Sequence, residues 1–345
     1  MSKETDETIK RKKDHIKLCL NDNVGFMHKT TGLEDYQFEH YAITEVTLRE
    51  IDLSTKLFNR KIAYPFLISC MTGGTEEANN LNADLAIVAA QLNIPIGVGS
   101  QRQALENTIH HESYKVVRKN APNVPVLGNI GAAQVVQMKD SVSAVQSLVD
   151  LIEADAMVIH INPLQELIQK NGEPNFKGLL KVIELLSKKL AAPIIAKEVG
   201  AGISKSAAQK LLDAGVGGID VAGAGGTSWS AVELIRNGEE NEFFHDWGVP
   251  TAKCIEDVAL LKSKYNFTLI ASGGLQTGED IAKSLALGAD IAASARPLLV
   301  KLVDSGIDGV INLIIDWFDT VKKIMYLTGS KNLTDLNNSK IYKTR

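Results

Sequence analysis

The sequence predicts an α/β protein that folds as a closed (β/α)8 TIM barrel, with an N-terminal arm and a C-terminal helix. From residue 66 onward, eight short apolar runs alternate with helical segments. The runs are continuous rather than alternating and are rich in Ile and Val, as expected of parallel strands buried on both faces. The GxGxxG turn typical of a doubly wound open sheet does not follow the first run. A closed barrel is therefore favoured over that open sheet.

The predicted strands share this apolar pattern and are spaced along most of the chain. They are residues 66–69, 94–98, 124–127, 156–159, 193–196, 218–221, 268–271 and 289–292. Helices are predicted between them from apolar stripes at 3.6-residue spacing and from capping residues. The clearest predicted helices are 79–92, one capped by Ser204 and ending at Gly215, one capped by Thr277 and Asp280 and ending at Gly288, and 308–328.

The composition indicates a globular protein with a large core. The chain has 345 residues, of which 45% are hydrophobic, and no low-complexity linker divides it. Residues 1–60 are predicted to form an N-terminal arm that covers the substrate, and residues 61–345 the barrel with its C-terminal helix. The basic run at 10–17 is, by itself, typical of a solvated arm.

Charge and cysteine usage limit the partners that can be expected. The formal net charge of −4 argues against nucleic acid as a partner. The sequence has no run of 18 apolar residues, and its charged N-terminus does not resemble a signal peptide, so we expect a cytoplasmic protein without a membrane partner. Three widely spaced cysteines, Cys19, Cys70 and Cys254, predict reduced thiols.

In a barrel, ligands and catalytic groups lie on the loops that follow the strands. These loops are polar, rich in glycine and short of nucleophiles. The Gly273-Gly274 turn after the seventh strand is typical of a barrel phosphate site, although it could also be a plain tight turn. Lys197, at the end of the fifth strand, could pair with Glu198 or Asp220, or could face a cofactor that gains negative charge, such as a reduced flavin.

The fourth strand leads into the stretch HINPLQE at 160–166, which ends in Gln165 and Glu166. This stretch contains no Ser, Cys or Lys that could act as a nucleophile. His160 is either a positioning residue near the site or a satisfied histidine of the barrel interior. The residues of this stretch alone leave open which chemistry it serves.

The sequence resembles the type 2, flavin-dependent isopentenyl-diphosphate isomerases. The motifs that carry the resemblance occur in order along nearly the whole chain. They are Arg11-Lys12 with His15, MTGG (71–74), GSQR (99–102), HINPLQE (160–166) with GEPNFKG (172–178), KEVG (197–200), GAGGTSW (223–229), DWGVPT (246–251) and SGGLQTG (272–278).

The resemblance implies FMN in its reduced form, NADPH or another reductant to prime it, and Mg²⁺. Residues implied to bind FMN are Cys70, Met71, Thr72, Gly73, Ser100, Asn129, Lys197, Thr227, Gly273, Gly274, Leu275, Ala295 and Arg296, the last five through its phosphate. Residues implied to bind the substrate diphosphate or its hydrocarbon end are Arg11, Lys12, Ser100, Gln101, Arg102 and Gln165. Gln165 is implied to be catalytic and Glu166 to ligate Mg²⁺.

The implied reaction converts isopentenyl diphosphate to dimethylallyl diphosphate by adding a proton at C4 and removing one at C2, with reduced FMN moving the proton. The family resemblance also implies a homo-oligomer, a tetramer or an octamer. The sequence departs from the family pattern in three places. Ala222 stands where serine is frequent, Gln276 where arginine is common, and Ala293-Ser294 where Gly-Met is common.

Two other functions stay open on the sequence. The first is an FMN-dependent oxidoreductase on the same barrel, but neither the histidine base nor the arginine of hydroxy-acid oxidases occurs in Ala271-Ser272-Gly273. The cysteine that dehydrogenases of the IMP class place after the sixth strand is also missing from residues 223–229. The second is a non-catalytic barrel that binds a phosphorylated ligand.

Overall fold

The computed structural model describes residues 3–21, 23–239, 241–337 and 341–344, and it confirms the predicted barrel. Eight parallel strands close on themselves in chain order, and the last strand pairs with the first. Three short strands precede the barrel: β1 (Tyr36–Phe38), β2 (Thr55–Leu57) and β3 (Arg60–Ile62). The barrel strands are β4 (Phe66–Ile68), β5 (Ile96–Gly97), β6 (Val126–Gly131), β7 (Ala156–Ile161), β8 (Ile194–Glu198), β9 (Gly218–Asp220), β10 (Thr268–Ala271) and β11 (Ile291–Ser294).

Several strands begin one to two residues later than the apolar runs predicted. Prolines explain three of these shifts, since Pro95, Pro125 and Pro193 directly precede β5, β6 and β8. Proline has no backbone N–H to give to a strand ladder, but its carbonyl can still accept. The carbonyl of Pro95 accepts from Ile68 and that of Pro125 from Ile96, so each proline lies at the edge of the ladder.

The barrel interior is filled at its lower end by aliphatic side chains. Ile62 and Leu57, on the hairpin formed by β2 and β3, are fully buried with Leu127, Val158 and Ile195 of the barrel strands. The hairpin therefore closes the end of the barrel at which the strands begin. The predicted boundary between arm and barrel, at residue 60, falls inside this hairpin.

The helices surround the barrel and bury their apolar faces against the strands, forming the larger of two core clusters. They are α1 (Lys3–Asn21), α2 (Glu76–Leu92), α3 (Arg102–Glu106), α4 (Glu112–Asn120), α5 (Ala132–Gln137), α6 (Ser141–Ile152), α7 (Pro163–Ile168), α8 (Leu179–Lys189), α9 (Lys205–Asp213), α10 (Trp229–Asn237), α11 (Glu242–His245), α12 (Thr251–Ala259), α13 (Gly278–Ala286), α14 (Arg296–Leu327) and α15 (Leu333–Asn337). The predicted caps are confirmed: Ser204 accepts from the N–H of Ala207, and Thr277 forms a reciprocal capping box with Asp280.

The predicted start of the terminal helix, residue 308, lies too far along the chain. Helix α14 begins at Arg296, directly after the last barrel strand, with Pro297 in its first turn. Its turns are broken at Gly306, whose φ of 67° and ψ of −167° are not helical. Such a φ favours glycine, and this interruption made the first part of the helix look separate from the predicted 308–328 segment.

The N-terminal arm lies across the mouth of the barrel rather than in solvent. Within α1, Lys12 contacts Gly73 and Ser100, His15 contacts Glu233, and the carbonyl of Cys19 accepts from Arg296. These partners follow four different barrel strands, so α1 spans the open end. Further along, β1 pairs with β12 (Ile341–Lys343) in an antiparallel ladder. No helix among the described residues is both long and apolar enough to cross a membrane.

Candidate active site

One cavity of about 880 Å³ lies at the end of the barrel where the strands finish, under helix α1. Every residue that the sequence predicted for the site, except Gln101, lines this cavity. These residues are Arg11, Lys12, Cys70, Met71, Thr72, Gly73, Ser100, Arg102, Asn129, Gln165, Glu166, Lys197, Thr227, Gly273, Gly274, Leu275, Ala295 and Arg296. The cavity therefore brings together residues from the ends of all eight barrel strands and from the arm.

Gln101, which was predicted to bind the substrate, does not line the cavity. Its side chain is fully buried, donates from Nε2 to the carbonyl of Leu148 at 3.1 Å and accepts at Oε1 from the N–H of Asn129 at 3.0 Å. Its backbone N–H donates to the carbonyl of Asn129 at 2.8 Å. These bonds of Gln101 hold the ends of β5 and β6 together.

Cationic side chains form one end of the cavity. Lys12 Nζ donates to the carbonyl of Gly73 at 2.5 Å and lies 3.4 Å from that of Ser100. Burial, together with the nearby charge of Arg11, lowers the pKa of Lys12 from 10.5 to about 7. An anion beside this ammonium would restore its protonated form, which makes the group suited to a phosphate.

Arg102 lies at the same end and is held by two carboxylates. Its Nε lies 2.9 Å from Glu106, and its two terminal nitrogens each lie 3.2 Å from an oxygen of Glu173. Arg11 is placed by Gln169, whose side-chain oxygen, in the amide orientation that satisfies both neighbours, accepts from Arg11 Nη1 at 2.7 Å. Three basic side chains therefore surround one part of the cavity.

Glu166 is a buried carboxylate next to these cations. Its Oε1 accepts from Asn162 Nδ2 at 3.1 Å, and its Oε2 from the N–H of Glu173 at 2.7 Å. The carboxylate oxygens keep lone pairs for a cation, and the buried Oδ1 of Asn162 has no hydrogen-bond partner in the described parts of the chain. The described residues contain no group of three or more His, Cys, Asp or Glu that could hold a metal. This donor set fits Mg²⁺, which uses few protein carboxylates and keeps water or phosphate ligands.

Gln165 shares Asn162 with Glu166 as a donor, but its other partner is different. Its Nε2 donates to Glu233 Oε1 at 3.2 Å, and its Oε1 accepts from Asn162 Nδ2 at 3.0 Å. Glu233 also meets His15 Nε2 at 2.8 Å and Arg236 Nη1 at 2.5 Å. Burial would raise the pKa of Glu233, but the hydrogen bond and charge of His15, with Gln165 and Arg236, lower it overall.

The cavity floor carries Lys197 and His160. Lys197 Nζ donates to the carbonyl of Glu198 at 2.8 Å and lies 3.7 Å from Asp220, yet it still lines the cavity. His160 Nδ1 lies 2.8 Å from Asn129 Oδ1, whose amide nitrogen donates to Val98. Nδ1 of His160 must therefore carry the proton, and Nε2 is an acceptor. Burial and the charge of Lys197 lower the pKa of His160 to about 4, so the ring is neutral near pH 7.

Nucleophilic thiol chemistry is disfavoured in this cavity. All three cysteines are free, and two of them, Cys19 and Cys70, line the cavity. Burial raises the pKa of the Cys19 thiol to about 11. Burial raises the pKa of the Cys70 thiol to about 12. A thiol with this pKa is not ionised near pH 7, and the thiolate is the nucleophilic form.

The loops after β10 and β11 provide free backbone donors. Among the residues that the structure describes, no protein acceptor lies within hydrogen-bonding distance of the backbone N–H groups of Gly274, Leu275 and Ala295. Gly273 and Gly274 have φ of 104° and 82°, and a Cβ on either would collide with the backbone of Gly223 or Gly225. The loops after β9 and β10 thus touch through glycine, and the donors remain available for a phosphate.

These features together fit FMN. The cavity is large enough for a flat tricyclic ring beside a diphosphate, Lys197 and Asn129 provide polar groups on its floor, and unpaired N–H groups lie at one end. Ala222, where the family often has serine, has a φ of 38° and is buried in the cavity wall. Gln276 also lines the cavity, and its backbone N–H donates to Asp280 at 3.0 Å.

Several residues of the site were missed by sequence reasoning. Glu233 and Arg236 lie on α10, where charged residues in an amphipathic helix look like surface positions. Glu173 and Asn162 lie inside recognised motifs, but no role was assigned to them. Gln103 is fully buried against the cavity, and neither atom of its amide has a hydrogen-bond partner among the described residues.

Comparisons with known proteins agree with this geometry. The sequence pattern of the family described as FMN-dependent dehydrogenase matches residues 6–119 and 136–343. An isopentenyl-diphosphate delta-isomerase of Chlorobium phaeobacteroides is 46% identical over 349 residues, which cover 97% of this chain and 95% of that protein. One from Nostoc sp. is 45% identical over 340 residues, covering 96% and 95%.

Solved structures of flavin enzymes share the fold. A mutant flavocytochrome b2 with pyruvate bound superposes with a TM-score of 0.70 at 18% identity, covering 95% of this chain and 82% of its own. A mutant mandelate oxidase with an FMN monooxide adduct gives a TM-score of 0.65 at 18% identity, covering 91% and 90%. This identity supports the shared fold alone. The family pattern and the curated relatives together show that the chain belongs to the FMN-dependent dehydrogenase family and, within it, to the isopentenyl-diphosphate delta-isomerases.

Proposed function

We propose that this enzyme converts isopentenyl diphosphate to dimethylallyl diphosphate with reduced FMN. The observation that carries the proposal is the division of labour between Gln165 and Glu166. Asn162 donates to both side chains, but the amide of Gln165 also bonds to Glu233, whereas Glu166 accepts from the N–H of Glu173 beside the cationic end. An allylic isomerisation needs this combination of a metal-diphosphate end and a hydrocarbon end without a protein nucleophile.

At the diphosphate end, Lys12, Arg11 and Arg102 would neutralise the phosphate charge, with Ser100 as a further contact. Glu166 would hold Mg²⁺, which also binds the diphosphate oxygens. Glu166 is buried and bonded on both oxygens, so its carboxylate would hold the metal with little rotational freedom. The role of this end is to orient the substrate so that its hydrocarbon end meets the reactive face of the cofactor.

Bound FMN, in its reduced form, supplies the group that moves the proton between C4 and C2. The phosphate would take the free N–H groups of Gly274, Leu275 and Ala295, with Gly273 in the turn. Arg296 contributes its backbone, since its side chain bonds to Cys19. Cys70, Met71, Thr72, Gly73, Asn129 and Thr227 would contact the ring, and the ammonium of Lys197 would stabilise its negative charge.

Gln165 is the residue proposed to act at the hydrocarbon end. One N–H of its amide donates to Glu233. The other N–H remains as a donor and a lone pair of Oε1 as an acceptor for the substrate or for the proton that is transferred. Glu233 and Asn162 fix the amide orientation, and neutral His160 adds an acceptor on the floor. Helix α1 covers the mouth and limits access of water to the carbocation-like transition state.

The family membership supports three finer proposals. NADPH would reduce the FMN once before turnover, and would not be consumed with the product. The enzyme would assemble as a homo-oligomer, a tetramer or an octamer, and would act in the cytoplasm on a small-molecule diphosphate.

An absorption spectrum followed by an anaerobic assay tests the proposed function. The purified enzyme should show a flavin spectrum, and one reduction by dithionite should start repeated turnover of isopentenyl diphosphate. Gln165→Leu should abolish turnover while FMN remains bound, and Glu166→Gln should weaken the Mg²⁺ dependence. Consumption of NADPH or oxygen in step with product would instead show an FMN-dependent oxidoreductase, and a colourless protein that takes up no FMN would show a phospholigand-binding barrel.

A further inference from the structure

Glu173 connects the proposed metal ligand to the proposed diphosphate arginine. Glu166 lies on α7 and Arg102 begins α3, on separate loops of the barrel mouth. The backbone N–H of Glu173 donates to Glu166 Oε2 at 2.7 Å. Its two carboxylate oxygens each lie 3.2 Å from a terminal nitrogen of Arg102, and Gln134 Nε2 donates to one of them at 2.8 Å.

The loop around Glu173 is built to hold this place. The N–H of Gly172 donates to the carbonyl of Gln169 at 2.9 Å, so the chain folds back onto the end of α7. A Cβ on Gly172 would lie 2.0 Å from the carbonyl oxygen of Glu166, a contact that only glycine avoids. The preceding Asn171 has a φ of 61°, in the left-handed region. The turn thereby delivers the N–H of Glu173 directly to Glu166.

The ion pair between Glu173 and Arg102 differs from an ordinary surface pair. The side chains are 30% and 26% exposed, and the carboxylate is fixed by Gln134 and by its own backbone. The paired geometry uses one N–H of each terminal nitrogen of Arg102. Each of these nitrogens keeps a second N–H, so Arg102 can hold Glu173 and a phosphate oxygen together.

We infer that Glu173 is a positioning residue that fixes Arg102 relative to Glu166, so that both can engage one metal-bound diphosphate. The inference rests on the proposed function for the identity of the ligand. Glu173 touches neither the reacting carbons nor the proton, and it acts through the two residues that it joins. Its effect belongs to the binding of the diphosphate rather than to the chemical step.

An alternative role for Glu173 would change diphosphate binding in the opposite direction. A carboxylate on Arg102 could compete with the diphosphate for the guanidinium, and its removal would then tighten binding. The positioning role requires that removal weaken binding. Inorganic pyrophosphate with Mg²⁺ is a probe that separates the two without any need for turnover.

The test compares Glu173→Gln with Glu184→Gln in the full chain loaded with FMN. Both changes replace a carboxylate by an amide in an ion pair, but Glu184 is exposed on α8, pairs with Lys188 and does not line the cavity. We expect Glu173→Gln to weaken the binding of Mg²⁺-pyrophosphate about tenfold by calorimetry, as replacement of residues that orient metal ligands does. The Glu184→Gln affinity should stay within about twofold of wild type, the size of an exposed ion-pair effect.

Steady-state kinetics give the second measurement. With Glu173→Gln, KM for isopentenyl diphosphate should rise about tenfold while kcat changes little. If Glu173→Gln takes up no FMN and so has not folded, Glu173→Asp replaces it. The shorter carboxylate cannot span both partners, and it should weaken pyrophosphate binding in the same direction.

Unchanged or tighter pyrophosphate binding in the Glu173 variant would overturn the inference, as would an equal loss in Glu184→Gln. A wild-type protein that binds no Mg²⁺-pyrophosphate would overturn it too. The proposed function can fail separately: a wild-type protein that binds Mg²⁺-pyrophosphate, loses it in Glu173→Gln, and does not isomerise isopentenyl diphosphate would keep the positioning role and refute the isomerase.

Discussion

The amide of Gln165 donates to Oε1 of Glu233 at 3.2 Å, deep under helix α1. Glu233 is fully buried, and its carboxylate also bonds to His15 and Arg236. A buried carboxylate with three donors holds the arm, helix α10 and the proposed catalytic amide in one network. Its replacement therefore has consequences for stability as well as for activity.

Glu233→Gln should lower the free energy of unfolding by about 3 kcal/mol, because it removes the buried carboxylate from Arg236 and leaves Asp14, 3.7 Å from Arg236 Nε, as the anionic partner. Denaturant midpoints of the two proteins measure this. Glu239→Gln, an exposed change just after the same helix, is the control and should have little effect. A loss below about 1 kcal/mol for Glu233→Gln would show that solvent already satisfies Arg236.

We expect Lys12 to take up a proton when an anion binds beside it. Its pKa in the free protein is lowered to about 7 by burial and by Arg11, so at pH 8 most molecules carry a neutral amine. A bound diphosphate favours the ammonium, so binding should take up a proton and weaken as the pH rises above 7. Calorimetry of pyrophosphate binding in buffers of different ionisation enthalpy measures the proton count.

Lys12→Arg should remove this linkage, since arginine stays protonated throughout the range. Lys13→Arg, at the exposed neighbouring position, should keep the wild-type proton count. Equal proton uptake by wild type and Lys12→Arg would assign the proton to another group.

His160 predicts a loss of stability in acid. Its pKa falls from 6.5 in the unfolded chain to about 4 in the folded protein, through burial and the charge of Lys197. Between these values the unfolded chain binds the proton and the folded protein does not, so stability is complete above 6.5 and is lost as the pH falls towards 4. The slope contributed by this group approaches about 1.4 kcal/mol per pH unit.

His160→Asn, whose amide can replace Nδ1 as donor to Asn129, should flatten the pH dependence of the unfolding free energy between 4 and 6.5. His40→Gln is the matched exposed control and should leave the slope as in wild type. An unchanged slope in His160→Asn would mean that the ring is already protonated in the folded state.

Replacement of Gln103 by an apolar residue should stabilise the protein. The amide of Gln103 is fully buried without a hydrogen-bond partner among the described residues, and an unsatisfied buried amide costs about 1–3 kcal/mol. Gln103→Leu, of similar size, should therefore raise the thermal midpoint of the ligand-free protein. Gln101→Leu removes an amide that is bonded on both sides and should lower it. A fall in both variants would indicate that Gln103 has an ordered water as its partner.

The barrel could be predicted because its strands are buried on both faces and so form continuous apolar runs. The cavity could be predicted because strand ends converge in a barrel, which brought Lys197 and Asn129 together without any knowledge of loop paths. The pairing of Gln165 with Glu233 could not be predicted in this way. It depends on how α10 turns relative to α7, and local spacing along the chain does not determine that rotation.

The sequence predicted Gln101 at the substrate, whereas Gln103 is the glutamine that lines the cavity with an unbonded amide. This difference has a similar cause. Both residues lie at the beginning of α3, two positions apart, and only the direction of the first helical turn decides which amide meets β6. The arm was also beyond local reasoning. A basic run is typical of solvated segments, and the contacts that order Lys12 and His15 come from residues far away in the chain.

The ladder between β1 and β12 has a consequence for how the protein is made. It joins Tyr36–Phe38 to Ile341–Lys343, which lie far apart in the sequence. During synthesis the first strand emerges long before its partner, so it stays unpaired until the second strand has been made. The contacts of α1 with Glu233 and Arg296 likewise join early residues to late ones, and Arg296 directly follows β11, the last strand of the barrel. The arm can therefore complete its docking only after the last barrel strand has been synthesised.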